Sequence, residues 1–321
     1  MIRNERIPRL TIVTTLFCSA DFLPSFIART EATLALLGID NYEIILVDDG
    51  SPDRSLTIAK AAIEDNRRIR VVELSRNFGH HHAALAGLHH AQGQRVFLID
   101  CDLEVAPEVL KNFVRVMDET SADVVYGVQE RRTGGFVKRI GGSVFWKLFN
   151  WLSDTPVPAD VLTERLMTDR YVKALIGLGD RNLFLAGMMY WTGFRQVAMT
   201  VEKSQREGKP SYSLWKRCLL LIEAVTSSST VPLTFMLCLG VVITLLAVVA
   251  SGWLLLNKAL HPEQIVAGYT SLALLTLGLG GVIITFMGVL GLYVARIFTQ
   301  TQGRPPFIVR AVHDAQQNHT P

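Results

Sequence analysis

Asp100 and Asp102 stand at i and i+2 in the segment LIDCDLEVAPE, directly after the apolar run Arg95–Ile99. Alternation along an extended chain brings two such carboxylates to one side. Held that close, they raise one another's pKa unless a cation intervenes. Mg²⁺ or Mn²⁺ suits the pair, because a hard divalent ion takes carboxylate oxygens and keeps its remaining positions for water and diphosphate. Glu104 continues the alternation and could hold the metal or one of its waters. Asp-x-Asp is common in exposed turns, so its weight comes from context. A second acidic pair, Asp48 and Asp49 in VDDGSPD, also follows an apolar run. The histidines are a weaker lead: His80, His81 and His82, then His89 and His90, are adjacent pairs that face different ways on a helix. They read as solvated or helix-start residues. Cys18, Cys101, Cys218 and Cys238 lack CxxC spacing and read as scattered small hydrophobes.

The elements that must position these acids follow from periodicity. Leu10–Phe17, Tyr42–Val47, Ile69–Leu74 and Arg95–Ile99 are short β-branched runs bounded by polar residues, as buried strands are. Helical spacing lies between them over Leu23–Leu37, Ser55–Asn66 and His82–Ala91. The order βαβαβ predicts an α/β fold with a doubly wound, mostly parallel sheet, whose ligand sits beyond the carboxyl ends of the strands. The acids stand there. No GxGxxG follows the first strand and no Walker A pattern appears, which excludes the dinucleotide-binding and P-loop readings. Val124–Val128 is a further strand, followed by the basic, glycine-rich stretch ERRTGGFVKRIGG, then an aromatic-rich helix over Ser143–Leu152 suited to a bilayer surface or to core packing.

Of the 321 residues 49% are hydrophobic, and the excess gathers in the last third. No charge occurs from Ala224 to Asn257 or from Val266 to Ala295. Each stretch exceeds the roughly 20 apolar residues that a bilayer core requires. The expected organisation is a cytosolic domain over 1–210, a juxtamembrane link over 211–230, spans at 231–257 and 266–295 forming a hairpin, and a cytosolic tail over 296–321. Lys216 and Arg217 precede the first span, and Arg296, Arg304 and Arg310 follow the second, with Lys258 alone between. That bias places both termini in the cytoplasm and the chain as a multi-pass protein of the cytoplasmic membrane. The opening MIRNERIPRL has no apolar stretch of signal-peptide length. A net charge of +3 without a long basic run excludes nucleic acid as a partner. Gly278, Gly280, Gly281, Gly288 and Gly291 in the second span permit close helix contact, and with it a homo-oligomer.

Taken together, the motifs resemble family-2 glycosyltransferases of the GT-A fold, in the dolichyl-phosphate mannose synthase and bacterial polyprenyl-phosphate glycosyltransferase branch. The likeness runs from about Leu10 to about Gln302. It implies nucleotide-sugar contacts from Asp48, Asp49 and Ser51 in VDDGSPD, from Asn77 and Gly79 in SRNFG, and from Asp100. It implies Asp100, Asp102 and Glu104 around metal and diphosphate. VYGVQERRTGG resembles the loop that closes over the diphosphate, and REGKPSYSL implies phosphate contacts from Arg206, Lys209, Ser211 and Tyr212. Two departures stand out: Thr15, Phe17, Cys18 and Ser19 replace the usual Pro-x-Tyr-Asn-Glu, and Thr163 replaces the acid before Arg165-Leu166-Met167.

The implied reaction is inverting, in-line displacement at the anomeric carbon, from a UDP-sugar in preference to a GDP-sugar onto a polyprenyl phosphate such as undecaprenyl phosphate. A phosphate monoester is ionised near neutral pH and needs positioning and charge compensation in place of a base. Arg131, Arg132, Lys138, Arg139 and Arg165 are candidates for that task, with Arg132 and Arg165 catalytic beside the two aspartates. Two alternatives stay open. One is a transferase acting on a lipid-linked saccharide, whose base would come from Glu164, Asp160 or Asp169. The other is a catalytically weakened scaffold of a polysaccharide complex.

Overall fold

The computed structural model describes residues 8–129, 161–181, 185–203, 229–260 and 268–315. The expected loop at 130–142, the aromatic helix at 143–152 and the basic link at 204–228 fall outside these, and with them Arg131, Arg132, Lys138, Arg139, Asp160, Arg206, Lys209, Ser211 and Tyr212.

β1 (Leu10–Leu16), β2 (Tyr42–Asp48), β3 (Ile69–Leu74) and β4 (Arg95–Leu98) form a parallel core in the order β3-β2-β1-β4. Their near-continuous burial explains why they read as unbroken apolar runs. α1 (Leu23–Leu36), α2 (Ser55–Asp65) and α3 (His80–His90) are the crossovers, close to the bounds that periodicity predicts. The chain then adds a three-residue 3₁₀ turn at Pro107–Val109, α4 (Leu110–Thr120), β5 (Val124–Gln129), β6 (Val161–Thr168), α5 (Asp169–Gly177), α6 (Leu185–Trp191) and β7 (Gln196–Val201). β6 runs antiparallel to both β4 and β5. Its first residues therefore arrive at the carboxyl edge of the parallel strands, with Arg165 opposite Leu98.

Two apolar cores cover the two faces. One gathers Ile12, Leu46, Val71 and Phe97 beneath Phe26, Ile63 and Phe113. The other gathers Val13, Val47, Val72 and Leu98 beneath α3, Tyr171 and Met188. α3 lies so near the sheet that a Cβ on Gly87 would fall 2.3 Å from Val13 Cγ1, so only glycine fits there.

The chain divides into two compact units. One comprises residues 1–146, 157–213 and 304–321, and the other 147–156 and 214–303. Within the second, α7 (Val231–Leu260) and α8 (Tyr269–Thr301) are joined where Tyr293 Oη donates to Ser229 O at 2.7 Å. Among the described residues one stretch, Gly278–Thr301, is long and apolar enough to cross a membrane, and none of its most apolar window is buried; α7 is apolar over the shorter run Val231–Ile243. The segment after α8 is no free tail. β8 (Val309–His313) returns to the first unit and pairs antiparallel with β3, giving the full order β7-β5-β6-β4-β1-β2-β3-β8.

Candidate active site

The residues past the ends of β1 to β4 meet the start of β6 and the end of β7 along one edge of the sheet. Past β4 the chain leaves the extended form, turning at Cys101 and Asp102 with Leu103 at φ +60°. Cys101 is 4% exposed, its thiol donating to Thr15 O at 3.3 Å, while Asp100 and Asp102 lie close enough for their charges to interact. Burial pushes the Cys101 thiol up to about 11, which leaves it inert. Asp100 Oδ1 is sealed from solvent and receives no hydrogen bond; His80 Nε2 lies 3.5 Å from it. The Thr163 hydroxyl bonds the Asp100 carboxylate. Burial raises the Asp100 pKa and the Asp102 charge adds to it, against opposing pulls from His80 and Lys203.

Lys203, just beyond β7, sets its Nζ 2.6 Å from Glu104 Oε2. Burial lowers its pKa, but Glu104, Glu164 and Asp102 outweigh that and hold it above the ordinary lysine value. Glu104 is thus engaged by an ammonium, and among the described residues no three His, Cys, Asp or Glu side chains converge as a metal set. Lys203 therefore competes with any ion for Glu104, the expected third carboxylate, and leaves Asp100 and Asp102 as the other two. Two carboxylates still fit Mg²⁺ or Mn²⁺, ions that take one or two protein carboxylates and complete their shell with water and substrate phosphates. The orphaned Asp100 oxygen is the atom such an ion would satisfy. Glu164, 4% exposed, has its pKa pushed up to about 7 by burial and then by the Asp100 charge.

The ends of β2 and β3 form the neighbouring wall. Asp48 is 2% exposed; its Oδ2 accepts from Ser51 N at 3.3 Å, and its Oδ1 is buried without a partner. Desolvation raises its pKa, against hydrogen bonds from Ser51. Asp49 spends both oxygens on the next loop, accepting from Phe78 N at 2.7 Å and Gly79 N at 2.9 Å. Gly50, at φ +66°, lets that loop close down: a Cβ there would lie 2.7 Å from Asn77 N. Ser51 Oγ donates to Leu16 O, and Asp53 accepts from Ala20 N and Ser55, so the loops after β1 and β2 are tied together.

Asp48, Asp49, Ser51, Asn77, Gly79, Asp100, Asp102 and Glu104 therefore share the edge that strand order predicts. Arg165 does not open onto it: it is 4% exposed, its guanidinium 5.7 Å from the Tyr126 ring centroid and its Nε without a partner. Its expected contact with a phosphate finds no support in that geometry. Sequence reasoning missed Lys203 and set His80 aside. His80 opens α3, 3.0 Å from Thr15 Oγ1, and a histidine starting the helix after SRNFG was the available signal. A hollow of about 490 Å³ lies at the other end of the strands, between Gln94, Met117 and Thr168. Its charged lining residues are already paired, Arg95 with Asp118 and Arg170 with Asp123, and it carries none of the chemistry.

Comparison with known proteins adds the following. The family described as Glycosyl transferase family 2 matches residues 11–169. A Mycobacterium tuberculosis protein named "Putative glycosyltransferases" is 39% identical over 305 residues, covering 95% of this chain and 88% of its own length. The Escherichia coli K12 "Prophage bactoprenol glucosyl transferase homolog" is 30% identical over 306 residues, covering 95% and 99%. Among solved structures, a mannosyltransferase from Pyrobaculum calidifontis in complex with GDP-Man and Mn²⁺ aligns over 92% of this chain and 87% of its own, at 16% identity and a TM-score of 0.46.

Proposed function

The chain belongs to glycosyltransferase family 2, and on that premise we propose that it moves a sugar from a nucleoside-diphosphate donor, a UDP-sugar before a GDP-sugar, onto a polyprenyl phosphate at the cytosolic face of a membrane. The observation that carries this reading is a pair of buried carboxylate oxygens that receive no hydrogen bond, Asp48 Oδ1 and Asp100 Oδ1, at the ends of the two strands that flank β1. A buried acceptor without a donor costs about 1–3 kcal/mol. A ligand that supplies donors on one side and a cation on the other removes both costs together. Asp48 suits the N–H and O–H groups of a base or ribose, and Asp100 and Asp102 suit a divalent ion lying against the diphosphate.

When bound, that ion would offset the charge that develops on the departing nucleoside diphosphate. The chain's own part is to hold the donor by the walls of Asp48 and the Asp49-pinned loop, and to place Lys203 where further negative charge is compensated. A phosphate acceptor is ionised at neutral pH and attacks the anomeric carbon in line without a base. This agrees with Thr163 in the place where the family carries an acid. Relatives named bactoprenol glucosyl transferases over almost their whole length support a polyprenyl acceptor, and the exposed apolar surface of α7 and α8 supports a membrane site for the reaction.

A second reading rests on Glu164. A buried carboxyl near pKa 7 beside the acids suits a general base, which a saccharide hydroxyl would need. The experiment that separates the two uses the purified full chain, radiolabelled UDP-sugars, Mn²⁺, and either undecaprenyl phosphate or a lipid-linked saccharide. Transfer to the phosphate that survives Glu164→Gln and drops at least about 100-fold in Asp102→Asn is the expected result. Product with the saccharide alone, lost in Glu164→Gln, would replace the first reading by the second.

A further inference from the structure

We propose that Arg310 is a positioning residue for the nucleotide subsite, and that β8, the strand following α8, braces that subsite. The inference rests on the assignment of the β2 and β3 ends to the nucleotide.

The brace is visible in the hydrogen bonds at Ser75, the first residue past β3. Ser75 N donates to Ile308 O at 2.9 Å, and Arg310 Nη2 donates to Ser75 O at 2.8 Å. Both backbone groups of that residue are therefore held by the segment that comes after α8. The β3–β8 register shifts between Glu73 and Leu74, so the ladder breaks just before the point that Arg310 grips. From Ser75 the chain runs through Asn77, Phe78 and Gly79 into α3. This is the loop whose amides Asp49 fixes and whose backbone closes on Gly50. Its anchors are Asp49 at one end and Arg310 at the other. β8 runs antiparallel to β3, so Val309 and Arg310 stand beside the carboxyl end of β3, where that loop begins.

A second connection is electrostatic. In the β2–β3 register Asp48 stands opposite Glu73, two carboxylates on neighbouring strands, both buried. Like charges so placed destabilise one another. Glu73 is contacted from three sides, by the charges of Lys60 Nζ at 3.1 Å and Arg310 Nη1 at 3.1 Å and by the ring of His313 through Nε2 at 2.9 Å. Two of these three come from β8. The guanidinium joins the two connections, since Nη1 reaches the Glu73 carboxylate while Nη2 reaches the Ser75 carbonyl, a fixed two-nitrogen fork that a single ammonium nitrogen does not reproduce. Residues 302–308 alone join α8 to this strand. The covalent path from α8 thus ends beside β3, at the start of the loop that Asp49 holds.

The test is UDP binding to the purified full chain in detergent, with Mn²⁺ present, by titration calorimetry, alongside donor kinetics and thermal melting. Arg310→Ala should weaken UDP binding roughly three- to ten-fold, the loss expected of one exposed charge-assisted contact. The donor KM should rise in step while kcat and the melting temperature stay at the wild-type values. Arg310→Lys should remain weakened, because charge beside Glu73 returns without the grip on Ser75. Wild-type affinity in Arg310→Ala, full recovery in Arg310→Lys, or a loss that appears only together with a fall in melting temperature would each overturn the brace. Asp48→Ala distinguishes the premise. Undiminished UDP binding in that variant removes the subsite assignment and the brace with it, whereas loss in Asp48→Ala beside no change in Arg310→Ala removes the brace alone.

Discussion

Lys203 decides how much negative charge the candidate site holds in the absence of a ligand. Asp100, Asp102, Glu104 and Glu164 crowd one end of the sheet, and the ammonium of Lys203 sits among them on Glu104. A tethered cation and a free divalent ion compete for the same field, so removal of the first should make the protein lean harder on the second. Lys203→Met is expected to destabilise the metal-free chain by about 1 kcal/mol, a value reduced from that of a fully buried pair because the side chain is partly exposed. Added Mn²⁺ should then raise the melting temperature more in the variant than in the wild type, by the linkage between binding and folding. Equal Mn²⁺-induced shifts in the two proteins would show that Lys203 and the ion do not share that field. No sequence spacing announces this contact, because Lys203 and Glu104 are brought together only by β7 reaching the far side of β5.

At the scale of elements, Glu73 ties together α2, β3 and β8 through Lys60, His313 and Arg310. Burial alone would raise its pKa, but the three donors outweigh that and hold it below the ordinary carboxylate value. A depressed carboxylate contributes stability that is present above its unfolded pKa and lost as pH falls through the folded one. Glu73→Gln should therefore speed amide exchange of Val309–His313 about ten-fold at neutral pH, roughly one charge-assisted hydrogen bond's worth. The gap between variant and wild type should begin to narrow below about pH 4, near the ordinary glutamate pKa, and close once the pH has passed below the depressed folded value. An undiminished gap in acid would mean that the glutamine fails through shape and not through charge. The same elements explain what was legible beforehand. β1 to β4 are buried on both faces, so their β-branched runs stand out and their order prescribes where the acids converge. β6 hides itself: it carries Glu164 and Arg165 at its buried centre, and no apolar pattern survives two adjacent charges. β8 is five residues with Arg310 and His313 among them, and its pairing depends on Glu73, more than two hundred residues upstream. α4 did carry a helical spacing in Leu110, Phe113 and Met117, and the reading passed it over.

At the scale of the whole molecule, connectivity constrains how the apolar helices can meet a bilayer. The chain leaves the sheet unit before α7 and returns to it after α8, where β8 forms a ladder with β3. If Gly278–Thr301 crosses alone, β3 and β8 are left on opposite faces of the membrane and the pairing of Val71 with His313 through Leu74 with Val309 cannot exist. With the ladder in place, a crossing by Gly278–Thr301 would need a second crossing to accompany it. α7, at thirty residues, reaches about 45 Å at 1.5 Å per residue, more than the roughly 30 Å hydrocarbon core. Its length would suit a second crossing, while among the described residues its apolar run is the shorter Val231–Ile243. In a chain stripped of its native cysteines, Gln264→Cys between the helices should react with a membrane-impermeant maleimide added outside intact cells. Lys111→Cys in α4 and Arg304→Cys after α8 should react only once the membrane is opened. Labelling of Arg304→Cys from outside would mean one crossing, and it would also require the β3–β8 ladder to be absent in the cell. Protection of all three would make α7 and α8 a surface-lying pair, which also keeps β3 and β8 together but leaves a lipid phosphate to be met from the interface.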